Sequence, residues 1–424
     1  MLQDRYGNTL TTSSEAARDF YVDGVDRFLS SSGGTPEALG RAISADDGFA
    51  LAHLALARHW HALGERIQAK DSLAAARALS KGITHREESQ INALGLLIDG
   101  NPPAAYGAIC AHLADYPRDA MVVQPCTTVF GLIGFSGQPG REAEQLAFTT
   151  QLAGHYGDDW WFLSQHAFSQ VEVGQISRAE ANIERSVSAN PRSAQGAHIR
   201  SHIYYEGGDM AAGYRYLSDW RRDYDRSGIL YCHLSWHEAL WAIEQGHMSE
   251  MWRIVDADIA PGISAGPPLV VMCDNAAILY RASLLGETIP IERWRTVCAL
   301  AAEYFPKSGI AFGDVHAALA YAMAGETTQL ARIISEATGP AGDVVRELAE
   351  AFGAIADENW PKAAIHLSAA MPDHARIGGS HAQRDLIEFA MVAVLLKLGQ
   401  SREARRLLAI RRPVVSTINA VEGF

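Results

Sequence analysis

Four histidines carry the most pointed chemistry in this chain. His198 and His202 are four residues apart, His233 and His237 are four apart, and the two pairs are separated by 35 residues. Residues four apart on an α-helix share one face, so each pair offers two imidazoles side by side. Such a pair is a recognised way of presenting two ligands to one zinc, nickel or iron ion. No HExxH or other strong metal motif accompanies them. The same rings therefore also suit two other roles, filling space between helices with their nitrogens satisfied by neighbours, or lining a polar pocket without metal. The expected cofactor is none, with a divalent metal on His198, His202, His233 and His237 as the minority outcome.

Further along come Asp274, Asn275 and Arg281, then Asp314 and His316, then His381, Arg384 and Asp385. A buried Arg suits a carboxylate in a bidentate fork, and a His held by an acid is the usual construction for proton transfer. The candidate catalytic residues are thus His198, His202, His233, His237, His316 and His381. The candidate ligand-binding residues are Arg384, Asp314, Asn275, Arg281, Trp236 and Tyr205. Adjacent helical residues diverge by about 100°, so Arg384 and Asp385 are expected to split, one facing a cavity and one holding neighbouring helices. Asp314 and His316 point roughly 200° apart, so an acid partner for His316 must come from another helix. Trp160, Trp161, Tyr204, Tyr280 and Phe312 interleave with these positions and suit either the core or the wall of a small-molecule pocket. Gly131, Gly134, Gly137 and Gly140 form a glycine-rich run without the Lys-Ser/Thr of a P-loop. Neither Ser235 nor Ser380 lies in Gly-x-Ser-x-Gly, and Cys232 reads as a buried structural thiol.

The elements that must position these groups show as a period. Gly64, Gly100, Gly137, Gly174, Gly208, Gly246, Gly286, Gly325, Asp357 and Gly399 recur at intervals of 32 to 42 residues, each followed by an Ala-rich amphipathic stretch. That is tetratricopeptide-like spacing. Gly100 and Gly174 are each followed 17 residues on by Pro117 and Pro191, which close the second helix because Pro cannot continue one. The expected fold is all-α, a right-handed superhelical solenoid of about ten divergent helical hairpins. It runs as one continuous unit over 1–424, with a capping segment at 1–40 and a C-terminal cap at 400–424. The first helix of each hairpin is expected to line the concave surface. Segments 30–35, 256–268 and 371–379 interrupt the period and are expected as connectors or partial lids.

With 48% hydrophobic and 20% charged residues in 424, the chain can bury a large core. Its formal charge of −13 argues against nucleic acid, whose binding rests on neutralising phosphates. The basic Arg402, Arg405, Arg406, Arg411 and Arg412 read as a solvated capping face. No stretch is long and apolar enough for a membrane span, and the first residues lack the apolar core of a signal peptide. Five scattered cysteines suit free thiols in a reducing compartment, and so the cytoplasm. Pairing into a homodimer would cap exposed end repeats.

Several motifs, in order, resemble tetratricopeptide repeat protein 38 family members of bacterial type. They are Tyr6 to Ala16 (YGNTLTTSSEA), Ala45 to His53 (ADDGFALAH), Thr84-His85-Arg86-Glu87 and Tyr116-Pro117-Arg118-Asp119-Ala120. Ala197-His198 to His202, His233-Leu234-Ser235-Trp236-His237 and Gly378 to Asp385 (GGSHAQRD) follow. The resemblance covers nearly the whole chain and implies an all-helical superhelix with divergent repeats, without an established reaction. The family's acid three residues after His202 is Tyr205 here, and an acid stands instead at Glu206.

The favoured reading is a protein that binds a small organic ligand in a His/Arg/aromatic-lined concave cavity, extending to acid–base catalysis of hydrolase or lyase type. The alternative is a non-catalytic scaffold that holds a peptide or protein along the concave groove.

Overall fold

Helix follows helix through the whole structure, a computed structural model that describes residues 2–263, 266–411 and 421–422. The described residues form 22 α-helices and no strand, apart from an isolated bridge between Gln3 and Thr9. Ten pairs of neighbouring helices pack through short turns into hairpins in sequence order, while Ala120–Val123 and Arg141–Tyr156 are joined by residues 124–140. The fold is the all-helical, tetratricopeptide-like solenoid that the period predicts.

The glycine marks lie where the chain reverses. All nine marker glycines are left-handed, with φ between 71 and 86°, a conformation that costs glycine little and other residues more. At the tenth mark Asp357 keeps an ordinary φ of −83°, and the left-handed role passes to Glu358 at φ 54°.

Two stretches differ from expectation. The proposed cap at 1–40 contains a hairpin of its own, Glu15–Ser30 against Thr35–Ala45. It escapes the glycine period because its turn is spread over Ser31 (φ 59°) to Gly34 (φ 83°). In the fourth pair the first helix stops early, as Ala120–Val123 and a 3-10 turn Gln124–Cys126. The chain then doubles back in tight turns, with Leu132 N donating to Pro125 O at 2.7 Å. A Cβ at Gly131 would lie 2.3 Å from Pro125 O, and one at Gly134 would lie 2.2 Å from Val129 O. Those two glycines let the segment fold inward and carry Phe130 and Phe135 onto Phe312, at 5.4 and 6.2 Å between ring centroids.

The hairpins make two layers. Outer helices such as Ile176–Ala189 and Thr327–Glu336 bury a single stripe. Inner helices, among them Trp160–Glu172, Ala194–Gly207, Tyr231–Glu244, Pro268–Leu284, Ala311–Ala324 and His381–Lys397, are buried nearly all round, polar residues included. Inner helices distant in sequence also meet. Pro268–Leu284 packs along His381–Lys397, and Arg141 donates to Ala375 O at 2.6 Å and Gly379 O at 2.7 Å. The interrupted segment at 371–379 is thus the strap that closes one wall of the superhelix on the other. The C-terminal cap at 400–424 is described only in part. Arg402, Arg405 and Arg406 are exposed on Ser401–Arg411, whereas the side chain of Arg411, all of Arg412, and Ser264 and Ala265 of the 256–268 segment lie outside the described residues.

Candidate functional site

The helices Ala194–Gly207 and Tyr231–Glu244 lie in consecutive hairpins, and their equivalent faces carry His198, His202, His233 and His237. Ser193 fixes the start of the first helix by accepting from Gly196 N at 3.1 Å. The four rings form a compact cluster, with centroids 4.7 Å apart for His198–His202, 4.7 Å for His202–His237, 4.8 Å for His233–His237, 4.9 Å for His198–His233 and 5.3 Å for His198–His237. One ring nitrogen from each lies within 4.8 Å of the others, and all four residues are buried. Phe168 packs on His202 at 4.9 Å, and Trp236 stacks on His233 at 5.3 Å with an interplanar angle of 11°.

The partners of these nitrogens are uneven. His233 Nδ1 donates to Asp274 Oδ2 at 2.8 Å, which leaves its Nε2 as a lone-pair donor. A carboxylate on the far nitrogen is the common support of a metal-binding imidazole. His198 and His202 share one Nε2–Nε2 contact of 3.0 Å. Nδ1 of His198 and of His202, and both nitrogens of His237, have no hydrogen-bond partner. Burial, aided by the neighbouring imidazoles, pushes His198, His202 and His237 well below the usual histidine range, so the rings are neutral. Neutral buried imidazoles with unspent lone pairs suit a metal ion. Ligands at 2.0–2.1 Å around a tetrahedral ion are about 3.4 Å apart, a spacing inside the 4.8 Å limit that spans the cluster.

A second group lies beside the first, where the two walls meet. Arg384 donates to Gly379 O and Glu142, and its Nη2 is 3.8 Å from Glu172 Oε2. His381 lies 3.7 Å from Glu142 and 3.5 Å from Glu206, and Tyr205 donates to Asp385 Oδ2 at 2.6 Å. Burial opposes charge on His381, yet Glu172 and Glu206 outweigh it and raise the imidazole above its usual value. Burial pushes the Glu172 carboxyl up. Glu142 is held below the ordinary range, against its own burial, by Arg384 and Arg141.

The structure sorts the sequence candidates. His198, His202, His233, His237 and Trp236 come together in one cluster; His381, Arg384 and Tyr205 come together in the seam. Arg384 and Asp385 both turn inward, because their 100° divergence lets each reach a different helix. The fork of Arg384 is filled from within by a backbone carbonyl and Glu142. The remaining four serve the backbone. His316 Nδ1 donates to Phe312 O at 2.8 Å, with no acid partner, and burial lowers its pKa to about 4. Asn275 donates to Ile259 O and Val271 O, Arg281 to Ala382 O, and Asp314 accepts from Gly309 N. A cavity of about 10 Å³ borders Asp4, Tyr6 and Asp119, and a surface depression of about 560 Å³ borders Asp158 and Arg185. Neither touches the histidines or the seam. Sequence reasoning missed Arg141, Glu142 and Glu172; the one available signal was Glu172 as the single charged residue of Trp160–Glu172.

No family model matches this chain. Among solved structures, the human IFIT1 dimer with PPP-AAAA is similar over 98% of this chain and 95% of its own, at 13% identity and a TM-score of 0.46. The TPR domain of P58(IPK) matches over 91% and 99%, at 14% identity and a TM-score of 0.20. Naa15/Naa10 bound to HypK-THB matches over 94% and 63%, at 10% identity and a TM-score of 0.23. These likenesses extend no further than helical-repeat architecture.

Proposed function

We propose that this chain is a metal-dependent protein that acts on, or binds, a small polar molecule inside a tetratricopeptide-like solenoid, with His198, His202, His233 and His237 holding one divalent transition-metal ion. A single observation carries the reading: four buried imidazoles from two consecutive repeats bring one nitrogen each within 4.8 Å, and three of them retain nitrogens without a partner. Imidazole donors suit zinc, iron, nickel or copper. Four neutral ligands leave the ion's charge undiminished, apart from Asp274 behind His233, so it would act as a strong Lewis acid on a carbonyl or bound water. Hydrolase or lyase chemistry fits that role. The motifs that support membership of the tetratricopeptide repeat protein 38 family, of bacterial type, supply both groups: His233 to His237 the cluster, and Gly378 to Asp385 the seam. Free cysteines, four of the five buried, support a reducing cytoplasm.

The test is elemental analysis and native mass spectrometry of the freshly purified chain, followed by cobalt(II) substitution of the stripped protein. The expected result is one ion per chain, lost in His198→Ala and His237→Ala, and bound about 10- to 100-fold more weakly in Asp274→Asn. A chain that takes up no metal would overturn this reading and leave the scaffold for a peptide or protein partner.

A further inference from the structure

The carboxylates of the seam lie one helical turn beyond the imidazoles. Glu206 follows His202 by four residues, and Glu172 follows Phe168, the ring packed on His202, by four. At 1.5 Å per residue, each acid is displaced about 6 Å along its helix from the imidazole layer. The strap brings His381 and the helix Arg141–Tyr156 brings Glu142 to the same level. Glu142, Glu172 and His381 then place one carboxylate oxygen or ring nitrogen each within 4.8 Å of one another.

Glu172 acts on His381 through its charge, yet it accepts no hydrogen bond. Its side chain is 2% exposed, and Arg384 Nη2 approaches no nearer than 3.8 Å. A buried carboxyl in that state is costly unless a cation meets it. The three side chains also grade from solvent to interior, at 29% exposed for His381, 20% for Glu142 and 2% for Glu172.

We propose that Glu142, Glu172 and His381 form a second divalent-cation site, weaker than the four-histidine centre and lying on the ion's route between solvent and that centre. Two carboxylates and an imidazole suit manganese, iron(II) or zinc. Arg384 and Arg141 hold fixed positive charge beside the site, which is why it binds less tightly. The route rests on the four-histidine reading; the site itself does not.

The full-length, metal-stripped chain tests this in two ways. Manganese(II) titration, read by the electron paramagnetic resonance of the free ion, is expected to show a weak class of binding that falls at least about tenfold in Glu172→Gln and in His381→Gln. Cobalt(II) loading, followed by the visible absorption of the tetrahedral centre, is expected to slow about tenfold in both variants while final uptake is unchanged. Glu142→Gln serves as the partly exposed second variant, and near-ultraviolet circular dichroism checks that each variant keeps its fold. Wild-type affinity and wild-type loading rates in all three variants would overturn the second site while leaving the histidine centre standing. A wild-type chain that binds neither ion would overturn both.

Discussion

Two buried polar clusters in this solenoid are built from the same residue type and come to opposite states. Near the N-terminus, His112 spends both ring nitrogens, with Nε2 donating to Asp119 Oδ2 at 3.2 Å and Nδ1 meeting Ser89 Oγ at 3.0 Å. Asp119 in turn accepts from Arg86 at 2.6 Å, and Arg86 also donates to Gln90 and Thr9 O. Burial works to raise the Asp119 carboxyl, but the His112 hydrogen bond and the Arg86 charge hold it low. In the four-histidine cluster, by contrast, His237 has neither nitrogen partnered. Buried polar groups are normally satisfied, so the first cluster is explained by the fold and the second is not. A buried histidine becomes a ligand candidate through what its lone pairs lack.

The largest effect that separates the two should come from Asp119→Ala, which strands Arg86 and His112 in the interior. Urea unfolding is expected to show a loss of about 3–5 kcal/mol, independent of metal. Next, zinc at about a thousand times its dissociation constant should stabilise the wild-type chain by about 4 kcal/mol and leave His237→Leu unmoved. Equal stabilisation of both would contradict the ligand assignment. His112→Leu, which leaves one carboxylate contact unmade, should cost about 1–3 kcal/mol.

A pH series sharpens the contrast further. His198, His202 and His237 are depressed when folded, so below about pH 6.5 the unfolded chain takes up protons that the folded chain does not. Stability of the metal-free protein should therefore fall with acid, by up to about 1.4 kcal/mol per pH unit for each ring, and His237→Leu should remove one such increment. His381 acts in the opposite sense. Its raised folded value gives a contribution that is complete below about pH 6.5 and is lost as pH rises through that value. The smallest effect is His237→Leu without metal, within about 1 kcal/mol of wild type, because it removes an unsatisfied group and not a bond. A larger loss would mean that the ring is structural after all.

The seam shows where legibility in the sequence ends. His198 with His202, and His233 with His237, could be read as pairs because a four-residue interval fixes a shared helical face. Their meeting could be read from one repeat length. Glu142 and Arg384 are 242 residues apart, and Arg141 and Gly379 are 238 apart. No local pattern couples such positions, and a solenoid with a slightly different rise per repeat would leave them separated. The inward fold at Gly131 and Gly134 is equally hidden, since a glycine-rich run does not show that Pro125 O and Val129 O lie where a Cβ would sit.

By itself the sequence determined the repeat and the helices and turns that follow its glycine marks, because left-handed glycines and apolar stripes act within a single hairpin. Its spacing also allowed four imidazoles to share one surface. Only the tertiary structure decided that the surface would be sealed, that Asp274 would face His233, and that His237 would be left without a partner. Whether a buried nitrogen is satisfied depends on every element packed around it, and residue spacing along one helix does not fix what those elements present.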